Sequence, residues 1–147
     1  MGKLIRISTM LLLAAAIIAL AVGLYTFDVR KTFIAIPLIF LDMIISVNYF
    51  NTYSLEVNFR SLTGVVCILG STLFVVGFVM LLFCNGGPKE IDGQYYVVNH
   101  GQIIRSISYK YFRALQLCEV SGLGGMGVAV TAAYCNYVSK RLKEIRR

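Results

Sequence analysis

The sequence predicts an all-α membrane fold: a bundle of four transmembrane helices, with a β-hairpin and a short amphipathic helix inserted between the third and the fourth. Four strongly apolar runs each approach the ~20 residues that a helix needs to cross a bilayer. Of the 147 residues, 58% are hydrophobic, and the longest stretch between runs is too short to form a core of its own. The chain is therefore expected to be one integral membrane domain. The expected spans are residues 8–27, 32–52, 61–84 and 119–139.

The first run raises the question of whether it is a cleaved signal peptide. Lys3 and Arg6 precede it, and the small residues Ala19 and Ala21 could form a cleavage site. The apolar core of a signal peptide covers about 7–15 residues, whereas this run stays uncharged as far as Phe27. We expect a retained helix, with cleavage as the alternative.

The distribution of Lys and Arg predicts the orientation, because cytoplasmic loops of membrane proteins carry the excess of basic residues. With the N-terminus inside, eight basic residues fall on the cytoplasmic side and six on the other. We therefore expect both termini in the cytoplasm and the loop 85–118 outside. The net charge of +7 follows from this flanking pattern and does not indicate nucleic-acid binding.

The segment 140–147 is a basic tail directly after the last span. Basic residues at the membrane surface gain about 1 kcal/mol each from anionic lipid. The tail is therefore expected to bind anionic lipid, with binding to a protein as the alternative. Its basic residues are Lys140, Arg141, Lys143, Arg146 and Arg147.

Small residues recur at three- and four-residue spacing in three of the four runs. Helices in a bilayer associate through such small residues, since lipid offers no hydrophobic drive for association. These ridges are expected to pack the helices of one chain against each other, with a homo-oligomer through one of them as the alternative. The ridge residues are Ala15, Ala19 and Gly23; Gly70 and Gly77; and Ser121, Gly125, Ala129 and Ala133.

The four cysteines form two equally spaced pairs. Cys67 and Cys84 are as far apart in the third run as Cys118 and Cys135 are around the fourth. In an antiparallel helical hairpin, Cys84 would then lie at the depth of Cys118. A disulfide between these two is one expectation, if the outer side is oxidising. Four buried free cysteines are the alternative.

The loop contains a hairpin signal. Two β-favouring segments, residues 94–98 and 102–107, flank a turn at Asn99, His100 and Gly101. His100 is expected to be a turn residue, because histidine accepts positive φ better than most residues. Ser108 then caps a short helix, 109–117, which lies at the interface or leads into the last span. The loop residues that we expect to bind a partner are Tyr95, Tyr96, Asn99, His100 and Gly101.

The run from Asp92 to Gly101, followed by Ile107-Ser108-Tyr109-Lys110-Tyr111, resembles a segment of small, uncharacterised polytopic inner-membrane proteins of bacteria. In those proteins an apolar strand and an Asn-His-Gly turn follow a transmembrane helix. The resemblance covers about twenty residues and carries no known activity. It implies a bacterial inner-membrane location.

Asp42 is the one charged residue within the second run. A carboxylate in the middle of a bilayer costs roughly 2.5–3.5 kcal/mol on insertion scales. Three interpretations remain open: a structural hydrogen bond between helices, a proton or cation site, and a pair with a basic residue of another membrane protein. The hydroxyl groups expected near Asp42 are those of Ser46, Ser71, Thr72 and Thr131.

The functional prediction is a non-catalytic membrane protein that binds a protein partner, either an accessory subunit or an immunity or exclusion factor that blocks a toxin. No catalytic constellation, phosphate-binding loop or metal-ligand spacing is recognisable in the sequence, so no enzyme activity, cofactor or metal is expected. The partner would be a membrane or periplasmic protein. The alternative is a small oligomeric ion or proton channel or carrier that uses Asp42.

Overall fold

The computed structural model describes residues 2–35, 41, 44 and 60–145. Over these residues the chain forms three long helices, a short 3-10 helix and one three-stranded antiparallel sheet. The elements, in chain order, are α1 (Gly2–Thr26), the 3-10 helix (Val29–Ala35), α2 (Leu62–Cys84), β1 (Gly87–Ile91), β2 (Gln94–Asn99), β3 (Gln102–Ser106) and α3 (Tyr109–Ile145).

All three long helices are long and apolar enough to cross a membrane: Leu4–Thr26, Leu62–Cys84 and Tyr109–Ile145. The outward faces of α1 and α2 consist of large hydrophobic side chains, such as Leu11 at 65% and Val76 at 56% exposure. Apolar surface this extensive is stable in lipid and not in water. The prediction of a membrane protein with transmembrane helices is confirmed.

The predicted bundle of four helices is wrong for the described part of the chain, which contains three long helices. The predicted second span, 32–52, begins inside the 3-10 helix, where the Lys31 amide donates to the Asp28 carbonyl oxygen over 3.3 Å. From residue 36 on, apart from residues 41 and 44, this predicted span lies outside the described residues.

Helix α3 is the centre of the bundle, and both α1 and α2 run antiparallel to it. Ile5, near the start of α1, packs with Tyr134 and Val138 near the end of α3, whereas Leu20 packs with Val120. Helix α1 and helix α3 therefore place the two chain termini at one end of the bundle, the tail end. The other end, where α1 stops and the sheet lies, is called the sheet end.

Helix α2 packs on α3 through a narrow line of small residues. These are the buried residues of α2, and we call them the glycine seam: Gly64, Gly70, Gly77 and Cys84. A Cβ added to Gly70 would lie 2.8 Å from the Ala129 amide nitrogen, and one added to Gly77 would lie 2.7 Å from Gly122 Cα. The two backbones thus touch, as the predicted ridge of Gly70, Gly77, Gly125 and Ala129 requires. Ser121 and Ala133 are only partly buried.

On α1 the buried line differs from the predicted ridge. Ala15 and Ala19 are only partly buried, and of that ridge Gly23 alone is buried. The reason is the rotation of α1 about its axis: at ~100° per residue, Ala15 and Ala19 lie about 90° around the helix from the line that faces α3. The residues of α1 that are buried are Ile5, Thr9, Leu13, Ala16, Leu20 and Gly23.

The predicted hairpin is part of a larger sheet. The segment Gly87–Ile91, for which no strand was predicted, forms strand β1 and pairs antiparallel with β2, with Pro88 opposite Val97. Proline is compatible with this position because β1 is an edge strand, whose outward amide positions need no partner. Strand β2 is central, and β3 forms the other edge.

Of the two alternatives for the predicted helix 109–117, the structure has the second: it leads into the last span as the first part of α3, which continues without a break to Ile145. No proline occurs between Tyr109 and Ile145, and glycines in a transmembrane helix are tolerated. At 37 residues α3 is ~55 Å long, longer than the ~30 Å of hydrocarbon. The non-helical segment between α2 and α3 is correspondingly shorter than the predicted loop 85–118, and ends at Ser108.

Candidate functional site

The candidate site is the sheet together with the helix ends that support it. The chain leaves α2 through Asn85, whose left-handed backbone (φ 56°) turns its amide back onto the Leu82 carbonyl oxygen at 3.1 Å. This cap ends α2 and directs the chain into β1.

Both turns of the sheet contain two residues with positive φ: Asp92 and Gly93 in the first, His100 and Gly101 in the second. Positive φ at both central positions is the requirement of the tight type I′ hairpin turn. The expected three-residue turn is thus shorter by one, because Asn99 pairs with Gln102 as a strand residue. His100 has φ 47° and is exposed, as expected for a turn residue.

The inner face of the sheet is fixed to the helices by apolar packing. Val97 is fully buried and packs with Cys84 of α2 and Leu115 of α3. Two residues earlier on the same face, the Tyr95 ring lies 5.3 Å from the ring of Tyr109 and 4.7 Å from that of Phe112. These contacts join the sheet to both helices at once.

A polar network surrounds this packing. The Tyr111 hydroxyl lies 3.0 Å from Cys84 Sγ and accepts a hydrogen bond from the Arg105 guanidinium at 3.1 Å. The same guanidinium lies over the Tyr111 ring, 5.4 Å from its centroid. Asn99 donates to the Asn85 side chain at 3.3 Å. Arg105, together with Ser106, Ile107, Ser108 and Tyr111, also lines a shallow cavity of ≈ 320 Å³.

Arg113 connects the end of α1 to α3. Its guanidinium lies 4.4 Å from the ring centroid of Phe27, and its Nε donates to the Tyr109 hydroxyl at 2.9 Å. A further hydrogen bond runs to Gln116 at 3.2 Å. Arg113 was not predicted as a site residue. Its spacing of four residues from Tyr109 was the signal that could have identified the pair.

The outer face of the sheet is open. Register places Val98 opposite Ile103, and Tyr96 opposite both Lys89 and Ser106, on the face turned away from Val97. Every residue of β3 is exposed, with Ile103 at 55%. The five predicted loop residues therefore divide into two groups. Tyr95 and Asn99 support the sheet from within, whereas Tyr96, His100 and Gly101 lie on its open face or at its tip.

Glu119 is an acidic residue that sequence reasoning did not single out. It lies in α3 and is partly buried, and a Cβ placed on Gly87 would lie 3.9 Å from its Oε1. The carboxylate thus faces the start of β1. Its position at the head of an apolar run was the available signal.

The predicted intramembrane polar site is not assembled by the described residues. Asp42 and Ser46 lie outside them. Thr131 is fully buried and its hydroxyl donates to the Gly127 carbonyl oxygen of its own helix at 2.7 Å. Ser71 and Thr72, by contrast, are exposed on α2. The three hydroxyls do not converge, because α2 turns its glycine seam toward α3 and these two residues away from it.

The predicted disulfide between Cys84 and Cys118 is not formed; all four cysteines are free. The cause is the register of the two helices. Cys118 lies beside Gly77, whereas Cys84, two turns further along α2, packs on Leu115. Gly77 lies between Cys118 and Gly122 of α3, so Cys84 is displaced along the helix axis by about five residues, or ~7.5 Å, from the level of Cys118. Together with the distance between the two helix axes, this exceeds the ~7 Å between Cα atoms that a disulfide allows.

The tail remains helical as far as Ile145. Lys140 and Lys143 are exposed, and Arg141 forms an ion pair with Glu144 at 2.8 Å and lies 5.8 Å from the Tyr137 ring centroid. Arg146 and Arg147 lie outside the described residues.

Comparison with known proteins gives no match of any kind: no family model, no curated protein and no solved structure is significantly similar to the chain. The resemblance of the loop segment to bacterial inner-membrane proteins stays a prediction.

Proposed function

We propose that this is a non-catalytic multi-pass membrane protein whose sheet binds another protein. The observation that carries the proposal is the contrast between the two faces of the sheet. The inner face is fixed by Val97 and Tyr95, whereas β3 is exposed along its whole length. The outer face carries Tyr96, Val98 and Ile103 beside Lys89 and Ser106. A sheet that is fixed on one side and open on the other is suited to holding a partner with little loss of conformational entropy.

The proposed location is a bacterial inner membrane with both termini in the cytoplasm. The bacterial inner membrane follows only from the resemblance of the loop segment, whereas two observations support the orientation. The termini share one end of the bundle, and that end also has the basic tail, as the excess of positive charge on cytoplasmic segments demands. The sheet would then face the periplasm. The tail would bind anionic lipid through its exposed lysines.

Within this class, an accessory subunit of a larger membrane assembly and an immunity or exclusion factor both use such a surface. A channel or carrier based on Asp42 ranks second, because Ser71, Thr72 and Thr131 form no polar track in the described part of the chain. Flux into liposomes that is lost in Asp42→Asn would reverse this order.

A photo-cross-linking amino acid at position 103 tests the proposal in cells. Position 25 is the matched control, because Tyr25 is 87% exposed and ends α1 at the same end of the bundle. We expect one discrete adduct from position 103 and none from position 25. Once the cross-linked partner has been identified and purified, Ile103→Asp should raise the Kd for its binding at least about tenfold, as expected for a central apolar contact. Identical adducts from both positions would contradict the proposal.

A further inference from the structure

The tail end of the bundle brings together basic residues from the ends of all three long helices. Helix α1 contributes Arg6, the start of α2 contributes Arg60, and α3 contributes Lys140 and Lys143. All four are exposed, and we call them the basic cluster. Three separate parts of the sequence supply them, so only the fold makes them neighbours.

Contacts between the helices place the four residues at one level of the bundle. The N-cap residue of α2, which directly follows Arg60, accepts a hydrogen bond from the Asn136 side chain at 2.5 Å. Ile5, which directly precedes Arg6, packs with Val138 of α3. Arg6 and Arg60 are therefore level with the part of α3 that leads into its two lysines. From residue 136 to residue 143 an α-helix rises only ~10 Å.

The four residues also lie on the sides of the helices that face each other. Lys140 and Lys143 follow Asn136 by four and seven residues, which puts them on the face of α3 that meets the start of α2. Arg6 precedes Leu13 by seven residues, and Leu13 packs in a cluster that α2 also joins. Arg6 therefore shares the face of α1 that is turned toward α2.

Basic side chains at this spacing repel one another, because ~10 Å is only one Debye length at an ionic strength of about 0.1 M. Among the described residues, Glu144 is the one acidic side chain at the tail end, and it pairs with Arg141 at 2.8 Å. Anions held between the helix ends would remove the repulsion. The anions present at a membrane surface are the phosphates of lipid headgroups, and basic sites between transmembrane helices bind them.

We propose that the basic cluster binds anionic phospholipid, whose phosphates lie between the starts of α1 and α2 and the end of α3. The inference rests on the lipid binding proposed for the tail and extends it in two ways. The site includes Arg6 and Arg60, which lie outside the tail. The bound lipid also holds the three helix ends together, so the stability of the bundle depends on the charge of the surrounding lipid.

The test compares the thermal midpoint of the full chain in nanodiscs of phosphatidylcholine alone and of equal parts phosphatidylcholine and phosphatidylglycerol. We expect phosphatidylglycerol to raise the midpoint by about 8 °C. Arg6→Gln removes one of the like charges, so it should raise the midpoint in phosphatidylcholine and reduce the gain from phosphatidylglycerol by about 2 °C. Arg6→Lys keeps the charge and should behave like the unaltered chain.

Lys89→Gln is the matched control, because Lys89 is exposed on β1 at the other end of the bundle and its loss changes the net charge equally. It should leave the gain unchanged. A gain that Lys143→Gln reduces and Arg6→Gln does not would mean that the tail alone binds lipid, which overturns this inference and leaves the tail proposal standing. The inference is also overturned if phosphatidylglycerol gives no gain, or if Lys89→Gln and Arg6→Gln reduce it equally. Binding of the sheet's partner plays no part in this readout.

Discussion

The two contacts that α3 makes in the membrane are built in different ways. Against α2 it places backbone on backbone, so that Gly70 meets Gly125 and Ala129 with no side chain between them. Against α1, side chains of α1 fill the contact. Leu20 packs over Gly124, and a Cβ added to Gly124 would lie 2.5 Å from Leu20 Cδ1. One contact is rigid, and the other contains atoms that can move.

This difference follows from the size of the side chains that α1 and α2 bury against α3. Helix α2 buries only small residues in its seam and leaves almost every large side chain to lipid, so its attachment depends on close approach. Helix α1 buries Leu13 and Ala16 against α3, and Thr9 adds a carbonyl oxygen that accepts from Cys135 Sγ at 3.0 Å. We expect substitutions at the α2 contact to cost more than matched ones at the α1 contact.

The largest effect is expected from Gly125→Leu and Gly77→Leu. A Cβ on Gly125 would lie 2.7 Å from the Gly70 carbonyl oxygen, and a backbone atom cannot rotate away. Either change should separate α2 from α3 and lower the unfolding free energy by about 3 kcal/mol or more. The measurement is the thermal midpoint in detergent. Gly127→Ala is the control, because no described atom lies within 4 Å of its added Cβ; an unchanged midpoint in Gly125→Leu would refute the contact.

The next largest effect is expected in the thermal midpoints of two variants that each add one methyl group, Gly70→Ala and Gly124→Ala. At Gly70 the added methyl meets backbone atoms, and overpacking of this kind costs about 1–3 kcal/mol. At Gly124 it meets the end of the flexible Leu20 side chain, and helix propensity returns up to about 1 kcal/mol. Thermal midpoints should therefore fall for Gly70→Ala and hardly change for Gly124→Ala. Equal losses would mean that the two contacts do not differ in rigidity.

The sequence predicted the apolar helices well, because length and hydropathy alone decide whether a segment can span a bilayer. It also located the small residues of the α2 contact. The α1 contact was assigned to Ala15 and Ala19, which are spaced for helix packing but face partly away. Spacing identifies a candidate ridge without fixing which way the helix is rotated.

Features that depend on the relative position of two elements were the ones missed. The disulfide failed because matching Cys84 to Cys118 assumed a register that the glycine contacts shift. Strand β1 was missed because Gly87 and Pro88 signal a turn locally, and only pairing with β2 makes them a strand. The turn at His100 and Gly101 was located but made one residue too long, because Asn99 pairs with Gln102 as a strand residue.

A buried side-chain amide joins α3 to the start of α2 at the tail end of the bundle. Asn136 is 4% exposed and donates to the hydroxyls of Ser61, at 2.5 Å, and Thr63, at 3.1 Å. Asn136→Leu removes these hydrogen bonds between helices and should cost about 1–2 kcal/mol. The matched control is Thr131→Val, which among the described residues loses only a hydrogen bond within its own helix. Chemical denaturation in mixed micelles compares the two; an equal cost would show that Asn136 does not join the helices.

The smallest effect is expected at the sheet end, where Arg113 holds α1 and Arg105 holds the sheet. Arg113→Lys keeps the charge but loses the planar contact with Phe27 and the hydrogen bond to Tyr109, a change of about 0.5–1 kcal/mol. Amide hydrogen exchange should rise in residues 20–27 and stay constant in β2, whose Tyr95 packs on Tyr109 and Phe112 independently of the guanidinium. Arg105→Lys should give the reverse pattern, since Arg105 reaches Tyr111 from β3. If both variants instead raised exchange in the same segment, the sheet and the end of α1 would have to loosen together, and the separate roles of the two arginines would be refuted.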